Sequence, residues 1–242
     1  MYRQIRTAVA AVAEERLAKR VTALLAAAGL ELQYMAGDGY SAINAVLRLR
    51  PDLLIADQML PGADGATLMR TAVRAHLPVL PDRALLCRTE FLLLPSDQPD
   101  GVTMIDIPTT NTMFREAIED MRRMPPYVDP ELMRRAKEMY RYLGFPEHIG
   151  TECLEMITVL CAQDERRMMG TLDDLEEMIA EIKQIRKRPA DRAMRHVIDA
   201  AWQSDRVEEQ YRVFGDSIDA GRGQPTCREM IARIADILRL EG

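Results

Sequence analysis

The segment Met124-Pro125-Pro126-Tyr127-Val128-Asp129-Pro130 places three prolines within seven residues. Each proline fixes φ near −65° and removes a backbone donor, so this stretch can neither continue a helix nor serve as an inner strand. It predicts an extended, stiff spacer, and with it a chain of two domains: residues 1–124, a linker over 125–130, and residues 131–242. A length of 242 residues suffices for two separate hydrophobic cores.

Upstream of the spacer, apolar runs alternate with amphipathic stretches. Thr7 to Ala13 reads as a buried strand, Glu15 to Leu30 as a helix, Glu31 to Ala36 as a strand, and Tyr40 to Leu49 as a helix. Pro51 to Asp57 is then a fully apolar strand that ends in a carboxylate. This alternation predicts an α/β, flavodoxin-like, doubly wound parallel sheet, whose functional crevice lies at the carboxyl ends of the strands, where Asp57 falls. The fourth strand is Arg83 to Cys87 or Phe91 to Pro95, and Val102 to Ile107 is the last. About a dozen residues rich in Pro, Asp and Gly separate the fourth strand from the last, too few for a helix with two loops. Thr109 to Met124 closes the domain as a helix, with Thr110, Asn111 or Thr112 available as caps and Met113, Ala117, Ile118 and Met121 on its buried side.

Downstream of the spacer the pattern is helical throughout, over about 131–143, 151–168, 172–185, 189–204, 205–214 and 226–240. Gly170 ends one helix, Thr171 can cap the next with Asp174, and Leu172, Leu175, Ile179, Ile182 and Ile185 recur at helical spacing. A basic cluster follows: Lys183, Arg186, Lys187, Arg188, Arg192 and Arg195, set against the single Asp191. In a chain of formal net charge −6 such a cluster is out of step with its surroundings. At 100° per residue Arg188, Arg192 and Arg195 share one side of a helix, while Ala190, Met194, Val197 and Ala201 share the other. With Pro189 in its first turn and Arg186 to Arg188 as a three-residue turn, Arg188 held out of helical geometry, this pair of helices reads as a helix-turn-helix. The turn lacks Gly and Asn.

Other classes find no support. Cys87, Cys153, Cys161 and Cys227 are widely spaced, which suggests neither a disulfide framework nor a zinc site, and Cys153 and Cys161 fall at core spacing with Met156, Ile157 and Leu160. Arg3 and Arg6 precede an apolar run, but Glu14-Glu15-Arg16 follow at once without a cleavage pattern, and no segment approaches the length of a membrane span. A cytoplasmic protein that is not an enzyme is expected, since no nucleophile, paired base or oxyanion signal accompanies the acids near Asp57.

Arg192-Ala193-Met194-Arg195-His196-Val197-Ile198-Asp199-Ala200-Ala201-Trp202, with Leu143-Gly144-Phe145-Pro146, Phe214-Gly215, Pro225-Thr226 and Arg239-Leu240-Glu241, resembles the effector domain of the stage zero sporulation protein A family. The likeness runs through about the last hundred residues. It implies a transcription regulator of sporulation that binds double-stranded DNA operators through its second motif helix, as a homodimer on paired half-sites. Arg186, Lys187 and Lys183 would then neutralise phosphates, while Arg192 and Arg195, on the exposed side with Arg188, would reach guanine edges. Asp191 would select cytosine amino groups or orient an arginine, and His196 would pack or face phosphate. Pro189 stands where the family has an arginine. Phosphorelay proteins and RNA polymerase are the further partners implied.

Asp57-Gln58-Met59-Leu60-Pro61-Gly62-Ala63-Asp64-Gly65 is similar to the phosphoacceptor loop of two-component receivers, which implies that Asp57 is the phosphorylatable carboxylate and a ligand for Mg²⁺ or Ca²⁺. Several receiver parts are missing, however. Ala11, Val12 and Ala13 occupy the place of the metal-binding acidic pair, with Glu14 and Glu15 the nearest acids, and Ile107 stands where receivers carry a lysine. The sensing hydroxyl would fall near Leu86 or Cys87, with Thr89 just beyond, or at Ser96 if the later strand is used. The receiver is therefore degenerate, and a docking or dimerisation role is expected of it. A rival to DNA binding, a protein-interaction modulator of sporulation regulators, is favoured by Pro189 and by the turn without glycine.

Overall fold

The computed structural model describes residues 4–75, 77, 79–88, 97–215 and 223–240. It divides into two compact units, Met1–Tyr127 and Val128–Gly242.

In the first unit the strands are β1 (Thr7–Ala11), β2 (Glu31–Ala36), β3 (Leu53–Asp57), β4 (Asp82–Arg88) and β5 (Val102–Ile107). They form one parallel sheet in the order β2-β1-β3-β4-β5. That order is the flavodoxin-like, receiver-type arrangement, with its switch point between β1 and β3. Helices α1 (Glu15–Ala27), α2 (Gly39–Leu49), α3 (Gly65–Arg74) and α4 (Asn111–Arg123) cover the sheet. Two apolar cores result, one on each face. Val21, Leu24, Phe114 and Ile118 pack with alternate strand residues such as Ala8 and Ile55, while Val46, Leu68 and Met69 pack with Val9 and Leu54. Strand β3 is buried at every position, which is why it reads as a continuous apolar run.

Several boundaries differ from the sequence reading. β1 stops at Ala11 and α1 at Ala27, because α1 already starts at Glu15, with Glu14 at its N-cap position, and the chain turns through Gly29, whose φ of 71° only glycine adopts freely. β3 begins at Leu53 instead of Pro51. The fourth strand is the earlier of the two alternatives, in register with both β3 and β5. The segment Phe91 to Pro95, with Thr89 and Ser96, lies outside the described residues, as does Glu241. Among the described residues no helix joins β4 to β5.

Arg83 is 2% exposed, although a charged side chain is rarely buried. Its guanidinium donates to the carbonyls of Met69 (3.2 Å) and Asp100 (3.0 Å) and lies 4.6 Å from the centroid of the Tyr127 ring. Gly101, at φ 65°, leaves room for that ring, since a Cβ there would overlap Tyr127. The prolines at 125 and 126 thus end in a residue held within the first unit.

The second unit is helical. Its helices are α5 (Pro130–Tyr142), α6 (Ile149–Gln163), α7 (Leu172–Ile182), α8 (Lys187–Trp202), α9 (Val207–Phe214) and α10 (Cys227–Leu240), with a 3-10 turn over Glu165–Met169. Asp129 caps α5 and Pro130 occupies its first turn, so the last linker proline starts a helix. Helix α6 is apolar on nearly all sides and forms the centre of the core, with Cys153, Ile157, Leu160 and Cys161 all buried. The Tyr140 hydroxyl shares a hydrogen bond of 2.8 Å with Thr158 inside it. Burial pushes the Cys161 thiol up to about 12, as expected of packing residues and not of reactive thiols.

Candidate functional site

The helix pair α7 and α8, expected to form the helix-turn-helix, is built as follows. Thr171 and Asp174 form a reciprocal capping box at the start of α7. The helix ends at Ile182, Lys183 closes it, and Gln184 then takes a left-handed conformation at φ 54°. A non-glycine residue there costs about 1–2 kcal/mol. The turn therefore has the left-handed position that usually takes Gly or Asn, and here Gln184 fills it.

Helix α8 begins earlier than the sequence suggests. Arg186 is its N-cap, in extended geometry, and Lys187 and Arg188 are already helical, so the expectation of a turn over 186–188 with Arg188 outside the helix is corrected. Pro189 sits at the third helical position. Amides in the first turn have no acceptor within the helix, and the ring's usual clash, with a carbonyl four residues back, falls on the turn preceding it. A proline anywhere in that turn is tolerated.

Ala190, Met194, Val197, Ile198 and Ala201 of α8 are buried, while Arg186, Arg188, Arg192, Arg195 and His196 are exposed. The buried side rests on α6 at very close range. A Cβ on Gly150 would overlap the Ala193 carbonyl, so a glycine at the start of α6 fixes how deeply α8 is seated. Composition alone does not disclose that role, because Gly150 looks like any helix-terminal glycine.

The six basic residues are not equivalent. Lys187 Nζ lies 2.6 Å from Asp173 and 3.8 Å from Glu177, both on α7. Lys183 pairs with Glu152 of α6. Arg195 donates through Nε to Asp191, one helical turn back, at 2.8 Å. This is the orienting role for Asp191, and the pair holds the Arg195 guanidinium more firmly protonated. The side chains of Arg186, Arg188 and Arg192 make no hydrogen bond or ion pair among the described residues. These three form the unneutralised part of the surface. The His196 ring stands edge-on to that of His148 at 5.8 Å, and His148 accepts the Gly150 amide through Nδ1 (3.0 Å). Beneath the motif Glu176 of α7 is 7% exposed, and burial, then the charges of Asp191 and Asp173, raise its carboxyl above the ordinary range.

In the first unit Asp57 ends β3, as the sequence indicates, and is 1% exposed. Gly65 packs so closely on its carbonyl that a Cβ would overlap it, and Asp64 caps α3 by accepting the Thr67 amide. What the sequence reading missed is Arg88. Its Nη2 donates to Asp57 at 2.9 Å and to Glu14 at 3.0 Å, and its backbone amide donates to Gln58 Oε1 at 3.3 Å. Arg88 is the register neighbour of Ile107, so a cation from the adjacent strand stands level with the position that lacks a lysine. A buried carboxylate without a lysine in reach calls for another cation, and the basic residue closing β4 is the one signal in the sequence that points to it.

Mg²⁺ or Ca²⁺ does not fit these residues. Both carboxylates nearest the site share one guanidinium nitrogen, and no cluster of three or more His, Cys, Asp or Glu side chains able to hold a metal occurs among the described residues. Leu86, the register neighbour of Asp57, and Cys87 offer no hydroxyl.

The first unit is thus a parallel sheet of the receiver-type order, and the second is an all-helical unit. Residues 136–238 match the family described as sporulation initiation factor Spo0A C terminal, so this part of the chain is similar to that family. The first half is also similar to solved receiver domains. That of PhyR from Erythrobacter litoralis is 17% identical, with 50% of this chain and 92% of that one covered and a TM-score of 0.44. A response regulator receiver domain protein from Clostridium thermocellum is 16% identical (49% and 96% covered, TM-score 0.41). The receiver domain of AraT from Geobacillus stearothermophilus is 22% identical (50% and 95% covered, TM-score 0.40). No helix among the described residues is long and apolar enough to cross a membrane.

Proposed function

We propose that this chain is a sequence-specific DNA-binding transcription regulator of the sporulation type, with α8 as the helix that enters the major groove. One observation carries the reading: Arg188 and Arg192 are exposed on the side of α8 opposite its buried face, Arg186 is exposed at its N-cap, and all three side chains are left without an internal partner among the described residues, in a protein of net charge −6. Unneutralised guanidiniums on a helix-turn-helix suit phosphates and guanine edges. Arg192 reads bases, with Arg195 held in place by Asp191. Arg186 and Arg188, nearer the helix N-terminus, hold the backbone, and His196 lies on the phosphate-facing rim. Lys187 braces α8 on α7, Lys183 ties the end of α7 to α6, and both contribute less to phosphate binding. The protein acts as a homodimer on paired half-sites, with RNA polymerase as its downstream partner.

The features that favoured a protein-interaction modulator have local explanations, since Gln184 makes the turn and Pro189 fits the first turn of α8. The test is binding to double-stranded DNA carrying a sporulation-type operator, against scrambled DNA, over a salt series, with Arg192→Ala alongside. Preference for the operator, weakening with salt and falling about tenfold or more in Arg192→Ala, supports the reading. Equal affinity for both DNAs, unmoved by the substitution, refutes it and turns the search to protein partners.

A further inference from the structure

The pocket around Asp57 carries an inference that does not depend on whether α8 binds DNA. Transfer of a phosphoryl group onto a carboxylate requires a divalent cation on oxygen ligands and an open path to the carboxylate. Asp57 is 1% exposed, and both of its oxygens are engaged: Oδ1 by the Met59 amide at 3.2 Å, Oδ2 by Arg88 at 2.9 Å. The same Nη2 takes Glu14, which with Glu15 is one of the two acids nearest the place of the missing acidic pair. Arg88 Nε is shut off from solvent with no hydrogen-bond partner among the described residues, while the side chain as a whole stays 30% exposed, so the guanidinium lies over Asp57.

We infer that Arg88 is a resident replacement for both the divalent cation and the lysine of a phosphorylatable receiver, which closes the Asp57 pocket to metal and to the phosphoryl group. One guanidinium does both tasks because it is fixed in charge and can hold two carboxylates at once. Asp57 then serves as a structural ion-pair partner, and the first unit stays in one state whatever the supply of phosphoryl donor.

The experiment uses the full chain. Intact mass after incubation with acetyl phosphate and Mg²⁺ reports phosphoryl uptake, and thermal melts with and without millimolar Mg²⁺ report metal binding. The expected result is no gain of a phosphoryl mass and no Mg²⁺-dependent shift in melting temperature; either one overturns the inference. Melts of Asp57→Asn, Arg88→Gln and the double variant measure the pairing itself. Coupled loss, with the double variant melting no lower than the worse single one, supports it, and additive losses overturn it. Should a variant fail to fold, the mass and Mg²⁺ measurements on the unsubstituted protein still decide.

Discussion

The two units treat charge in opposite ways. In the receiver-like unit the buried Asp57 is paired with Arg88, which also holds the exposed Glu14, whereas in the helical unit the side chains of Arg186, Arg188 and Arg192 are left to solvent with no internal partner among the described residues. Burial forces the first arrangement, since an unpaired charge away from water costs several kcal/mol. Exposure permits the second, and nothing in the fold requires it. Under the readings proposed above, the receiver-type site keeps its aspartate without its chemistry, while α8 offers open charge to a partner.

The contrast is sharpest at the seat of α8. Gly150→Ala places a methyl group against the Ala193 carbonyl. Loss of about 2–3 kcal/mol of stability in the helical unit is expected in urea melts, with weaker DNA binding, because α8 must shift to relieve the overlap. Unchanged stability would show that the open surface is not held by that contact.

Salt dependence separates paired from unpaired cations. Removing Arg188 should lower the slope of log affinity against log salt by about 0.9, the value for one phosphate contact. Lys187→Ala should lower it by much less, because Lys187 is already engaged by Asp173 and Glu177. Equal slopes for the two variants would erase the distinction drawn here between bracing and binding residues.

The smallest effect concerns Glu176. Its carboxyl is raised in the folded state by burial, so the folded protein keeps a proton that the unfolded chain releases. Its stabilising contribution is complete below the unfolded value, near 4.3 for Glu, and is lost as pH rises through the folded one. Glu176→Gln should therefore raise the melting temperature at pH 7 by a small amount and leave it unchanged at pH 4. An increase of the same size at both values would mean that charge is not the cause.

Much of this was legible in the residues themselves. The β3 strand announces itself because all of its positions are buried, and the Thr171–Asp174 box and the alternation of Arg192 and Arg195 with Met194 and Val197 follow from helical geometry alone. Local rules misplaced the start of α8, because the bias against a helical residue before proline is relaxed in a first turn. They also gave no account of Gln184, whose left-handed backbone is imposed by the two helices it joins.

What the sequence by itself determined is therefore the alternation of elements, the apolar and basic sides of α8, and the absence of receiver groups at Ala11 to Ala13 and Ile107. These are properties of neighbours in the chain, set by periodicity and side-chain chemistry. Only the tertiary structure decided that Arg88 reaches Asp57 from the next strand, that Gly150 admits α8, and that three of the six basic side chains are already spoken for. Each of these joins residues distant along the chain, and whether a charge is satisfied depends on what folding brings within about 3 Å of it.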